Sequence, residues 1–157
     1  MFRTISALCT AIMMSACVSI PPEPIDVVER VKVTNRAIRS GQCAGSFASI
    51  TADLEKAGDG RAQSTSAYAD DMSQASRADF DALFQYPEFA AKHYDTNLTI
   101  GMRQVRDELN EGHTLDEIMY VVGKRCEEQT GLAVWDYGLD LVSLSYAMNS
   151  GVPNSGA

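Results

Sequence analysis

The side chains with the most recognisable chemistry in this 157-residue chain are two histidines, four cysteines and 21 carboxylates. A metal site needs three or four convergent ligands. His93 has Asp95 near it and His113 has Glu111, but there is no HExxH, no CxxC and no close histidine pair. The histidines read as solvated or capping groups, and no metal or cofactor is expected. Acidic pairs occur at Asp70-Asp71, Asp79 and Asp81, Asp107-Glu108 and Glu127-Glu128. Glycoside hydrolysis needs two carboxylates facing each other across a cleft, one in an apolar setting that raises its pKa. Neighbours on one helix do not face each other that way, so Asp70, Asp71 and Asp79 read as solvated faces and caps. The chain has no GxSxG, no SxxK and no glycine-rich phosphate loop, and Gly45-Ser46 falls inside a helical pattern instead of a strand-turn-helix elbow. No catalytic residue is assigned. The remaining enzymatic option is a hydrolase of envelope polymers in which Glu108 or Glu117 works with a histidine.

The cysteines are Cys9, Cys17, Cys43 and Cys126, and two of them fall in a distinctive first segment, MFRTISALCTAIMMSACVSI. Arg3 is its only charge, and an apolar stretch runs from Ile5 to Met14. That is a positive n-region followed by an apolar run of secretory length, shorter than the roughly 20 residues that span a bilayer. Met14-Ser15-Ala16-Cys17 then resembles the lipobox of bacterial lipoproteins. Small residues before the cysteine fit that class, and Cys9 competes poorly because the apolar run continues past it. The resemblance implies a signal peptide over 1–16, cleavage before Cys17, and acylation of that cysteine. Two or more acyl chains hold a protein stably at a membrane. Val18 stands where an Asp commonly retains Gram-negative lipoproteins at the inner membrane, which implies outer-membrane sorting with the body facing the periplasm.

Pro21-Pro22-Glu23-Pro24 completes a tether over 17–24, because closely spaced prolines favour an extended, solvated chain. Loss of residues 1–16 leaves Cys43 and Cys126 as the remaining pair in a compartment that permits disulfides. Joining them closes a loop of about 84 residues, worth on the order of 4 kcal/mol in the chain-entropy model. Their spacing is unlike a CxxC redox pair.

The elements that must position these groups read as helices. Ile25, Val28, Val31 and Ile38 form a loose stripe, and Gly41 reads as an end or kink. Cys43, Phe47, Ile50, Leu54 and Ala57 recur at steps of four and three, ending at Gly58-Asp59-Gly60. Residues 61–75 are weaker, with Ala67, Tyr68, Met72 and Ala75 inward. Ser76-x-x-Asp79 reads as a cap for a helix bearing Phe80, Leu83 and Phe84. Pro87 predicts a break and restart, after which Phe89 and Tyr94 continue an apolar face. Leu98, Met102, Val105 and Leu109 continue to Gly112. Thr114-x-x-Glu117 is a capping box, with His113 placed to meet Ile118 in front of it. Ile118, Val122 and Cys126 share one face, and Gly131 closes the helix. Residues 132–148 fit a helix through Trp135, Leu139, Val142 and Tyr146. Alternation of Val142, Leu144, Tyr146 and Met148 also fits a strand, but a lone strand has no partner here.

Two aromatic sets, Tyr86, Phe89 and Tyr94, and Trp135, Tyr137 and Tyr146, could line a groove for a peptide or glycan or simply fill the core. Trp135, beside Asp136 in a glycine-flanked segment, is the strongest binding candidate, with Tyr137 second. The composition, 45% hydrophobic and 22% charged, is that of a globular chain. A net charge of −8 excludes a nucleic-acid binder that displaces counterions with a basic face. The expected architecture is all-α: a small bundle of about five or six helices over residues 25–149, stapled by one disulfide and followed by a flexible tail at 150–157. The expected function is a lipid-anchored binding or structural module for a protein or envelope component. A sharper variant is an inhibitor or immunity-type protein against an envelope-acting enzyme.

Overall fold

The computed structural model describes residues 26–150, with side chains as far as Ser145. The signal segment, Cys17, the proline tether and the tail after Ser150 lie outside the described residues. Five α-helices follow in order: α1 (Val27–Ala57), α2 (Ala62–Leu83), α3 (Pro87–Asn110), α4 (Leu115–Thr130) and α5 (Leu141–Ser150). A 3-10 turn at Val134–Tyr137 separates α4 from α5. No strand occurs among the described residues. The molecule is all-α, and α5 runs through Ser150, one residue past the expected end of the helical domain.

α1 is the central helix and packs on α2, α3 and α4. It runs unbroken through Gly41 and Gly45, so Gly41 is neither an end nor a kink. Each glycine inside a helix costs about 1 kcal/mol relative to Ala. Close approach of α3 offsets that cost. A Cβ on Gly45 would overlap the Leu98 carbonyl, and one on Gly101 would overlap the Gln42 carbonyl. The two backbones therefore touch, and Ser46 Oγ donates to the Gly101 carbonyl at 3.2 Å. α1 ends where Gly58 takes a left-handed conformation and the Asp59 N–H returns to the Leu54 carbonyl, a Schellman closure.

α2 is longer than its sequence pattern suggests. Ser76 and Asp79 are buried inside it and cap nothing. Both side chains instead bind α1. Ser76 Oγ donates to the Ala37 carbonyl at 2.7 Å, and the Arg36 guanidinium donates to both Asp79 oxygens at 2.6 Å. Asp79 is an ion-pair partner on the helix interface, not a solvated face. Pro87 opens α3 at its first turn as predicted. The capping box at Thr114 and Glu117 is formed on both sides, and Gly131 closes α4 in the left-handed region.

The core has two parts. The larger joins Cys43, Phe47, Ile50 and Leu54 of α1 to Tyr68 and Met72, Val105, Ile118, Met119, Val122 and Cys126, and to Val134, Leu139, Leu141 and Leu144. The smaller joins Val33 and Ala37 to Phe80, Leu83, Ala90 and Tyr94. Residues 132–148 are not one helix. The 3-10 turn and Gly138 re-aim the chain, so Leu139, Leu141 and Leu144 point inward while Val142 is exposed. Met102, Val28 and Val31, placed on apolar stripes by spacing, are exposed as well.

Candidate functional site

Cys43 and Cys126 are bridged, with Cα atoms 5.8 Å apart, inside the larger core. The bridge fastens the middle of α1 to the last turns of α4, directly before the segment that carries Trp135. That segment is held from both sides. Gly131 ends α4, and the Glu127 carboxylate accepts the Val134 N–H at 3.0 Å. Val134 is fully buried beneath the turn. The Tyr68 hydroxyl donates to the Leu132 carbonyl at 3.2 Å. Gly138, at φ +81°, adopts a conformation that L side chains rarely take, and its N–H closes the turn on the Trp135 carbonyl at 2.9 Å. Asp140 then caps α5, accepting the Val142 N–H at 2.9 Å.

Trp135 projects from this fixed turn and is 70% exposed. Tyr137 goes the other way. Its ring meets Tyr68 edge-on at 5.1 Å, and its hydroxyl donates to the Asp71 carboxylate of α2. That hydrogen bond to a carboxylate, helped by burial, pushes the Tyr137 hydroxyl up to about 12. Burial also raises the Tyr68 hydroxyl. Trp135 and Tyr137, paired as binding candidates by sequence, thus divide into an exposed indole and a latch that secures its support. Asp71 is the partner that sequence reasoning missed; it lies 66 residues from Tyr137, and no local pattern marks it.

The other aromatic set also divides. Tyr86 and Phe89 are half exposed and meet edge-on at 6.1 Å, whereas Tyr94 is buried and donates to Ser73 Oγ at 3.0 Å. The histidines do not converge. His93 stacks on Phe84 at 4.6 Å in the first half of α3, and His113 lies beyond that helix's far end. His113 does meet carboxylates: Nε2 is 3.4 Å from Glu108 and Nδ1 is 3.9 Å from Glu117. Glu108, Glu111 and His113 place their donor atoms within 4.8 Å of one another, so among the described residues these three could hold a cation. Glu117 is already engaged. Thr114 donates to it through N–H and hydroxyl, which holds its carboxyl below the ordinary range, the opposite of what a general acid needs. The adjoining crevice, lined by Ile118, Val121, Val122 and Arg125, measures about 70 Å³, well under the roughly 300 Å³ at which ligand pockets begin.

Compared with models of known families, with curated proteins and with solved structures, the chain matches none.

Proposed function

We propose that the protein is a lipid-anchored envelope module that binds a protein or envelope component through the Trp135 turn. The observation that carries this reading is the 70% exposure of the indole on a turn that is itself pinned. A Trp in water on a flexible loop loses entropy when it binds. One on a fixed support loses little and offers a large apolar face with an N–H donor. Such anchors dominate the energetics of protein interfaces. The lipobox-like run Met14–Cys17 and the proline tether behind it support the anchor.

The test is a photo-crosslinking amino acid installed in cells at position 135, with Val121, half exposed on α4, as the control position. A discrete adduct at 135 alone is expected. Adducts at neither position, or equally at both, would overturn the binding role. Cys17→Ser is expected to release the body into the soluble fraction, and its persistence in membranes would overturn the anchor.

A further inference from the structure

One end of the bundle carries apolar side chains that nothing among the described residues covers. α1 and α3 run parallel, since Val33 and Ala37 pack with Ala90 and Tyr94 while Gly45 meets Leu98. α2 runs against them. This end therefore gathers the start of α1, the end of α2 and the start of α3, and Arg30 donates to the Leu83 carbonyl there at 3.3 Å. Val33 is the first buried residue of α1. Before it, Val27 is 75% exposed, Val28 61% and Val31 55%. At roughly 100° per residue these three valines fall within one sector about 100° wide. Tyr86 and Phe89, also half exposed, sit at the same end on the α2–α3 corner.

We propose that this end is a lipid-facing footprint: Val27, Val28 and Val31, with Tyr86 and Phe89 beside them, seat on the surface of the bilayer that holds the acylated Cys17. The inference rests on the anchored reading above. Only eight residues separate Cys17 from Asp26. At about 3.1 Å per residue for an extended proline-rich chain, the start of α1 stays within roughly 30 Å of the lipid. Three valines would hold a free protein only weakly. A tether converts their contact into an intramolecular one, at an effective concentration of order millimolar. The chemistry of the end also fits. An amphipathic helix settles its apolar face at the headgroup boundary, and Tyr belongs to the aromatic belt found there. Residues 26–39 hold Arg30, Lys32, Arg36 and Arg39 against Asp26 and Glu29, and with Arg36 paired to Asp79 they keep a small basic excess in a chain of charge −8. An anionic leaflet attracts this segment while repelling the rest. Trp135 is directed away. Its turn lies against Ser64, Tyr68 and Asp71, in the first half of α2, toward the opposite end.

The experiment uses the full lipidated chain, purified from membranes and reconstituted in vesicles of phosphatidylethanolamine and phosphatidylglycerol. Val28→Trp is placed in a Trp135→Phe background, far-UV circular dichroism checks its fold, and lipids brominated high on the acyl chains act as the quencher. The Val28→Trp emission is expected to shift to the blue and to lose half or more of its intensity to brominated lipid. The native Trp135 chain should keep its intensity. If position 28 stays unshifted and open to iodide while the protein floats with the vesicles, the footprint is overturned and the anchor stands. If the protein does not float, both fall. A blue shift that already appears in the Cys17→Ser form in buffer and grows with protein concentration would assign the valines to a second copy and overturn the lipid contact. Equal quenching at 28 and 135 would overturn the end-on orientation.

Discussion

Gly45 of α1 lies directly against the carbonyl of Leu98 in α3, with no room between them for a β-carbon. The obstacle is backbone, so no side-chain rotation can relieve it. Gly45→Ala is therefore expected to destabilise the protein by about 2 kcal/mol, because overpacking outweighs the helix propensity gained. Thermal unfolding followed at 222 nm checks this, and an unchanged or raised midpoint would mean that α1 and α3 do not approach so closely.

The Cys43–Cys126 bridge closes most of the folded chain into one loop, with a sequence separation of 83. Its removal by Cys43→Ala/Cys126→Ala is expected to lower stability by about 4 kcal/mol, chiefly by freeing the unfolded chain. Urea titrations of the oxidised protein and the double variant measure the difference. Non-reducing mass spectrometry of the protein isolated from cells should find the two thiols joined.

Tyr137 gives the protein an alkaline weak point. Its hydroxyl is held protonated by Asp71, up to about 12, against an ordinary value of about 10. Folding favours the protonated form, so this contribution is complete below about pH 10 and is lost as pH rises toward about 12. Asp71→Asn should bring the Tyr137 titration down toward the ordinary range, read as absorbance at 295 nm, and Tyr137→Phe should remove that step. A Tyr137 that ionises near 10 in the unmodified protein would show that the latch is not made.

Arg61 joins the α1–α2 turn to α4. Its guanidinium donates to Asp59 in the α1–α2 turn at 2.6 Å and to Asp116 in the first turn of α4 at 2.7 Å. Hydrogen bonds from Arg61 hold the Asp59 carboxyl below the ordinary carboxylate range. The charged form is the one that folding favours. Its contribution is present above the ordinary value of 3.8 and is lost as pH falls through the depressed one. Arg61→Ala should flatten the acid limb of stability measured by urea titration below about pH 4. An acid limb identical to that of the unmodified protein would assign the acid sensitivity elsewhere.

The parts of the fold visible in the sequence are those whose chemistry is local. The Thr114–Glu117 box, Pro87 at the start of α3, and the glycines that close α1 and α4 each act within four residues of themselves. Gly41 and the Ser76/Asp79 pair were misleading for one shared reason. A glycine's cost to a helix is local, whereas its benefit, here the nearness of Ser76 and Asn97, comes from other helices. Ser-x-x-Asp has the spacing of a cap, but Ala37 and Arg36, 39 and 43 residues away in sequence, bind it instead. The spacing that puts Trp135 on one stripe with Leu139 and Val142 does not foretell its exposure, because the 3-10 turn re-aims the chain. The inward turn of Tyr137 could not be anticipated either, because Asp71 reaches it only through the tertiary fold.

The disulfide also decides how the molecule would carry a pull. If the proposed anchor and partner both hold, tension between Cys17 and the indole would travel up α1 to Cys43, cross one covalent bond to Cys126, and leave along the nine residues that end at Trp135. The intervening 82 residues, with most of α2, α3 and α4 among them, are bypassed. Under load only the residues outside this loop could lengthen, and the middle of the chain could not unspool while the sulfurs stay joined.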